Sequence, residues 1–518
     1  MKTVTAKQRL TQDHWIILVL GTTLLFGAIA RFLPVFQAGF PLNDGGMFLS
    51  MIRDLRASHY WLPAVTSYNG LNIPYAYPPF GFYLARVLSD LFKVSEIALI
   101  RWLPATVNTL SILAFNALAY LLLKSRSRAA VASIFYALTP GASAWFIMGG
   151  GLTRSFGSLF MLLSLSWVYR LIRDGGKLEL GLSLLFCLLT VLSHPEVGIH
   201  TAAGCILLWF FYGRTPRATL HGFVVAAATM LLVSPWWLTV ISYHGLDPFL
   251  SALQTGSYGS SLMQNLYDSF FVGEGFVPVI AVLRSAGAIW AISKRNFFLV
   301  LWAVLPHILE PRSAPSVAFY PFCMLMALAI TDALPAFLRY FRGKDAFEIG
   351  VEFHQRRWVN VGLLLIFVYL FIEGSIYGFR LVNNSLSSND REVMSWVREN
   401  TPPDSRFFSI TGKQSPEIDP FVEWFPALAE RRNQTTLQGH EWLLGERFFK
   451  RYTALANVQG CDSVECVEGW AIQNGLGYDY LLVQNPDPGM ALIDSLSSGT
   501  KYELVYSTSG ALIYRLNK

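Results

Sequence analysis

Gly39-Phe40-Pro41-Leu42-Asn43-Asp44-Gly45-Gly46 follows the first long apolar run of the chain and precedes an amphipathic stretch over residues 47–55. The run before it, residues 15–33, approaches the roughly 20 apolar residues that cross a bilayer. The octapeptide therefore places a carboxylate, Asp44, just beyond a membrane span. Its glycines let the backbone approach a ligand closely. Two readings of Asp44 stand side by side. It is the centre of an active site at the membrane surface, or it is an acidic turn residue capping the short helix that follows.

Working outward, apolar runs of similar length recur along most of the chain. Only 14% of residues are charged, against about 25% in soluble proteins. The expectation is a polytopic α-helical membrane protein of about eleven spans, followed by a C-terminal external α/β domain. The basic residues sit in short loops between spans rather than on one face of a soluble fold, so no nucleic-acid partner is expected. Residues 2–9 are basic, and residues 15–33 are too long for the apolar core of a signal peptide, so this run is read as a retained anchor. Basic clusters then fall on one side at nearly every return of the chain, most strongly over residues 339–357. By the positive-inside rule that side, with the N-terminus, is cytoplasmic, and Asp44 is outside.

Residues 34–96 form an external loop carrying two interface helices, over residues 47–55 and 80–92. Residues 1–384 make the membrane part and 385–518 the external domain. In the latter a helix is expected over residues 389–400 and strands over 406–411, 478–484, 502–507 and 511–516. Cys461 and Cys466 lie in this domain. A disulfide suits an oxidising compartment, and the spacing alone leaves the pairing open. Arg284 falls inside an expected span, where it snorkels or faces the bundle interior.

If the membrane part is a bundle, the polar groups at the external ends of its spans share one surface. They are Asp44, Arg154 after Gly149-Gly150-Gly151, His194, Glu196 and His200 at one turn, Asp247, Asp268 and Glu274 in a loop, and Glu310 and Arg312 at another turn. Ionisable groups near membrane depth are costly and call for a reason. Each also has a structural reading: Glu196 suits the first turn of a helix, His200 suits an interior hydrogen bond, and Arg312 suits snorkelling. Glu274, flanked by glycines, is a better contact residue than Asp268.

Three stretches carry a family resemblance: Gly39 to Gly46, the segment YAYPPFGFYL over residues 75–84, and PRSAPSVAFYPFCMLMALA over residues 311–329. With the layout of spans and outer domain, they resemble the GT-C glycosyltransferases. That family includes the protein O-mannosyltransferases, the aminoarabinose transferases of lipid A and the oligosaccharyltransferases. Some members carry two adjacent acids after the first span, where this chain has Asn43 and Asp44. It also lacks the Trp-Trp-Asp motif of oligosaccharyltransferases, since Trp236 and Trp237 precede Leu238.

The resemblance implies inverting transfer of a sugar from a polyprenyl-phosphate donor to a glycan, lipid or protein acceptor at the outer membrane surface. It implies Asp44 as the catalytic base, with Asn43, Tyr77, Arg154, His194, Glu196, Glu274, Arg312 and Tyr320 in contact with substrate. A divalent metal is compatible with such a site. The competing reading is a multi-span transporter or lipid flippase using the same charges as a pathway. A membrane scaffold whose outer domain binds a partner is the third.

Overall fold

The computed structural model describes residues 11–140, 143–255, 261–272, 278–342, 356–484, 490–497 and 500–517. In chain order the first helices are α1 (Gln12–Ala38), α2 (Gly46–Ala57), α3 (Phe80–Phe92), α4 (Glu96–Leu123), α5 (Arg126–Leu138), α6 (Ala144–Ile147), α7 (Gly151–Asp174), α8 (Lys177–Ser193) and α9 (Pro195–Tyr212). There follow α10 (Pro216–His244), α11 (Asp247–Gln254), α12 (Leu262–Phe271), α13 (Val279–Ser293), α14 (Phe298–Leu309), α15 (Ala314–Leu328), α16 (Leu334–Arg342) and α17 (Arg357–Val382).

Among the described residues six helical runs are long and apolar enough to cross a membrane. They are α1, α4, α7, α10, α17 and the run Ala314–Tyr340, which joins α15 to α16 through a π-helical segment at Ala329–Ala333. The chain is thus a multi-pass membrane protein. Phe223, Met230 and Leu231 stand exposed on α10, an apolar face of the kind that lipid covers. The other five expected crossings fall on α5, α8, α9, α13 and α14, which run from 12 to 18 residues. At 1.5 Å per residue such helices fall short of the roughly 30 Å that 20 residues cover.

The loop expected over residues 243–275 carries α11 and α12. Helix α12 folds back on the bundle, with Phe270 edge-on to Phe322 at 4.8 Å. This settles Arg284, which faces the interior. Its guanidinium donates to the Ser269 carbonyl at 2.6 Å and lies 5.2 Å from the Phe322 ring.

Hydropathy passes over a second charge, Arg31, which is fully buried within α1. Its guanidinium donates to Asn108 Oδ1 at 2.6 Å and to the carbonyls of Gly27 at 3.0 Å, Ala137 at 2.6 Å and Tyr136 at 3.3 Å. Tyr136 and Ala137 lie in the last turn of α5, where helix carbonyls lack intrahelical donors and carry partial negative charge. Arg31 is therefore the C-terminal cap of α5, supplied by α1 across the bundle.

After α17 come α18 (Ser388–Asn400), α19 (Pro420–Leu428), α20 (Phe448–Val458), α21 (Val464–Gln473) and α22 (Met490–Ser497). They accompany one five-stranded sheet of β1 (Arg406–Ile410), β2 (Arg432–Asn433), β3 (Tyr480–Gln484), β4 (Tyr502–Ser507) and β5 (Ala511–Leu516). The order is β2-β1-β3-β5-β4, with β1 parallel to β2 and β3, and β5 antiparallel to β3 and β4. The helix and four strands read from sequence are present within a residue or two, and the two-residue β2 is additional. Cys461 and Cys466 are joined by a disulfide.

This C-terminal part shares a core with the segment after α1. Trp424 and Phe425 pack in one apolar cluster with Phe40, Met47, Leu49 and Ile52. Asn69 and Asn433 exchange two hydrogen bonds, Asn69 Nδ2 to the Asn433 carbonyl at 3.0 Å and Asn433 N–H to Asn69 Oδ1 at 2.7 Å. The sheet region is therefore welded to the start of the bundle rather than tethered to its last span.

Replacing Arg31 tests the buried cap. Arg31→Ala strands the Asn108 amide oxygen and the last carbonyls of α5, and should lower stability by on the order of 3 kcal/mol. Arg31→Lys supplies a point charge without the planar fork and should recover only part of that loss. Thermal unfolding of the purified protein in detergent measures both. A melting point unchanged in Arg31→Ala would contradict the capping role.

Candidate active site

The backbone of residues 42–46 is held in an unusual path. Asn43 adopts a left-handed conformation, φ 53°, which Asn tolerates better than most residues. Gly45 has φ 132°, a region that excludes side chains. The path is pinned from three sides. The Asn43 amide donates to the Asn384 carbonyl at 2.5 Å, Trp424 Nε1–H donates to the Asn43 carbonyl at 2.8 Å, and the Gly149 amide donates to the Leu42 carbonyl at 2.9 Å.

Asp44, 8% exposed, does not cap the helix that follows it. The N-cap of α2 is Gly45. Instead Asp44 Oδ1 accepts from the Gly150 amide at 2.8 Å, and Oδ2 from Arg154 Nη2 at 2.6 Å. Gly150 is the N-cap of α7, so the carboxylate sits at the positive end of that helix. A Cβ at Gly149 would run into the Asp44 carbonyl, and one at Gly150 into the Asp44 carboxylate and the Arg154 guanidinium. The glycine run 149–151 is what lets the two segments meet. Arg154 is held in turn by the Trp145 carbonyl at 2.9 Å and lies 5.2 Å from the Trp145 ring.

The N-terminus of α2 is served by a residue from the C-terminal part. Glu423 Oε1 accepts from the amides of Gly45 at 3.3 Å and Met47 at 3.5 Å, and Tyr68 donates its hydroxyl to the Glu423 carbonyl at 2.5 Å. Burial, and next the Asp44 carboxylate close by, push the Glu423 carboxyl up to about 8, against the opposing pull of the two amides.

A second polar group lies at the turns α8–α9 and α14–α15. Glu310 accepts from the amides of Arg312 at 3.0 Å and Ser313 at 2.8 Å, which fixes the turn. His200 Nε2 is 3.0 Å from the Ser313 hydroxyl and 3.7 Å from Glu310 Oε2. Arg312 lies 3.9 Å from Glu196 Oε1 and keeps 38% of its side chain exposed. His194, at the turn between α8 and α9, is held down to about 3 by burial and then by the charges of Arg154 and Arg312. It is a neutral ring at any ordinary pH. Tyr77 joins the two groups. Burial raises its hydroxyl first, and the charges of Glu441, Arg312, Arg154 and Glu196 all act on it. Its ring packs edge-on against Trp442 at 4.9 Å and Phe48 at 5.2 Å.

The residues singled out in the sequence divide accordingly. Asp44 and Arg154 are in contact, and His194, Glu196 and Tyr77 each lie within electrostatic reach of both Arg154 and Arg312. Asn43 directs its side-chain amide to the Glu417 carbonyl at 3.2 Å, so it binds the C-terminal part. Tyr320 is buried inside the bundle, hydrogen-bonded to Ser158 at 2.6 Å. It lies six residues into α15 from Ala314, about 9 Å below the start of the helix at the helical rise. Glu274 lies outside the described residues. Among the described residues no three His, Cys, Asp or Glu side chains are placed to hold a metal. Glu423 and Glu441, both buried, were not among the expected residues. The available signal was a carboxylate inside the apolar run Pro420–Leu428, the anomaly that singles out a charge inside a span.

No protein-family model matches this sequence, and no curated protein does. Solved structures do. The archaeal oligosaccharyltransferase AglB from Archaeoglobus fulgidus, in complex with an inhibitory peptide and a dolichol-phosphate, is similar at TM-score 0.57 and 14% identity, over 91% of this chain and 70% of that one. ArnT from Cupriavidus metallidurans in the apo state is similar at 0.50 and 14%, over 97% and 98%. The arabinofuranosyltransferase AftD from Mycobacteria is similar at 0.54 and 14%, over 99% of this chain and 40% of that one. At this identity the likeness is one of fold.

Glu423 gives the site a pH dependence of defined sign. Its folded value lies above the ordinary 4.5, so the folded state holds the proton more tightly. The stability it contributes is complete below about 4.5 and is lost as pH rises through about 8. Glu423→Gln keeps an acceptor for the Gly45 and Met47 amides but cannot ionise. The difference in melting temperature between variant and wild type should therefore grow in the variant's favour across that window. Parallel profiles would contradict the assignment.

Proposed function

We propose, for a chain with the GT-C fold of membrane glycosyltransferases, that it performs inverting transfer of a sugar from a polyprenyl-phosphate donor to an acceptor hydroxyl at the outer face of the membrane. The observation that carries the proposal is the Asp44 carboxylate docked on the start of α7 beside Arg154. A carboxylate has about four acceptor positions. The Gly150 amide and Arg154 take two, which leaves capacity for an acceptor hydroxyl. In the reaction the acceptor oxygen attacks the anomeric carbon and its proton passes to Asp44. The carbon–oxygen bond to phosphate breaks on the opposite face, and the phosphate departs with the electron pair. The charge developing on it calls for fixed cations, and half-buried Arg154 and exposed Arg312 are the cations placed to meet it. His194, held neutral, and Tyr77 are the donors suited to sugar hydroxyls.

In this reading residues 1–384 form the catalytic membrane part, residues 34–96 its interfacial loop, and residues 385–518 an extracytoplasmic domain. The N-terminus and residues 339–357 are cytoplasmic, supported by the distribution of basic residues. The C-terminal part does more than cover the site, because Glu423 and Trp424 hold the Asp44 loop itself. Transfer to peptide asparagine is not proposed. The only Trp-Trp pair, Trp236-Trp237, lies within α10 and is followed by Leu238.

Asp44→Asn tests the proposal. Asn retains an oxygen for the Gly150 amide, so the fold should persist, while the loss of the base should lower turnover by about 10²–10⁴-fold. The measurement is release of polyprenyl phosphate from a polyprenyl-phosphate sugar by the purified protein, beside donor binding. Near-normal turnover with intact binding would make Asp44 a structural residue. Arg312→Gln should weaken donor binding and turnover together, and an unchanged KM and kcat would remove Arg312 from the site.

A further inference from the structure

A separate cleft of about 400 Å³ opens where the end of α1, the start of α4 and α18 meet. Arg101, Arg391 and Arg398 line it, together with Phe40, Trp102 and Ser95. No Asp or Glu is among its lining residues, and none of the residues around Asp44 described above takes part.

The three guanidiniums are positioned by groups other than buried acids. Arg101 donates to the Val35 carbonyl at 2.9 Å and the Phe36 carbonyl at 3.1 Å, and lies 4.6 Å from the Trp102 ring. Arg391 lies 5.1 Å from the Phe40 ring and donates to the Ser387 carbonyl at 3.3 Å. Arg398 donates to the Ser395 hydroxyl at 3.4 Å and makes a loose 3.7 Å contact with Glu399, an exposed acid outside the lining that accepts from the same Ser395 hydroxyl at 2.9 Å. Neighbouring acids are committed elsewhere, Glu96 to Arg86 at 2.7 Å and Asp390 to the capping box with Ser387. Arg391 is close enough for its charge to act on Arg101. The first turn of α4, capped by Ser95, adds the positive end of a helix dipole. Like charges facing one cavity that no acid lines repel, and an anion seated there turns the repulsion into charge-assisted hydrogen bonds.

The position selects among anions. The cleft lies at the ends of two spanning helices, α1 and α4. Phe36, in the last turn of α1, is exposed, as are Leu91, Phe92 and Val94 just before α4. A cationic cleft rimmed by exposed apolar side chains fits an amphiphile. We infer that this cleft binds the phosphate headgroup of an anionic membrane lipid, whose chains lie along the exposed end of α1, and that the bound lipid docks α18 and the C-terminal part on the bilayer. The inference is independent of the role given to Asp44.

Native mass spectrometry of the full-length protein, titrated with phosphatidylglycerol, a polyprenyl phosphate or phosphatidylcholine, tests it. Two variants leave Arg101 and its helix contacts intact: the double change Arg391→Gln with Arg398→Gln, and Ser395→Glu, which places an acid on the cleft wall. Each should weaken retention of phosphatidylglycerol or of the polyprenyl phosphate by about tenfold or more, with phosphatidylcholine held weakly throughout. Loss of either anionic lipid supports the inference. Unchanged retention of both in both variants overturns it. So does displacement of the lipids by inorganic phosphate at equal concentration, which would make the cleft a site for free anions.

Discussion

A charged side chain near a membrane needs partners, and Asp44 finds two on the far side of a 106-residue separation in sequence, the Gly150 amide and, four residues further on, the Arg154 guanidinium. Much of the architecture around it follows from making that contact possible. The glycine run 149–151 must carry no side chains, the 42–46 segment must turn through left-handed and glycine-only conformations, and α7 must begin where the carboxylate meets its dipole. Because Asp44 serves α7, the N-terminus of α2 is left open, and Glu423 from the C-terminal part fills it. Two carboxylates thus join three parts of the chain at one point.

This arrangement explains why the sheet-bearing region cannot be regarded as an appendage. Trp424 holds the Asn43 carbonyl, and its ring lies edge-on to Phe40 at 4.7 Å. Asn43 in turn reaches back to the Glu417 carbonyl. The Asp44 loop is therefore shaped by residues nearly 400 positions away. The buried Arg31 does a comparable service deeper in the bundle, fixing the end of α5 from which the chain runs on towards the glycine run. In both cases a polar group inside an apolar setting specifies one arrangement of helices that apolar packing alone would leave degenerate.

Hydrophobic periodicity is a local signal, and it rendered the local features well. Helix α3 has the bounds expected from the Pro78-Pro79 pair, and β4 and β5 fall where alternation placed them. Crossings on long runs such as α4 and α17 were equally legible. Partnerships across the chain were not. Nothing in the neighbourhood of Asp44 distinguishes a cap of α2 from a cap of α7, since both need only a carboxylate and a glycine turn. Glu423 carries no local sign of its role, because its carboxylate completes a turn in another part of the chain. Arg31 was hidden by the averaging that makes hydropathy useful, and Tyr320 was drawn into the site by its motif while the helical rise carries it below.

In the proposed function the Asp44 and Arg154 pair, with Arg312 across the surface, marks where a lipid phosphate and its sugar are held for transfer. Density for the phosphate in an experimental structure of the full-length protein bound to a polyprenyl phosphate tests this most directly. The account predicts phosphate oxygens within hydrogen-bonding distance of Arg154 or Arg312, beside Asp44, with the prenyl chain running between spans. A well-ordered phosphate seated elsewhere, with Arg154 and Arg312 untouched, would contradict it.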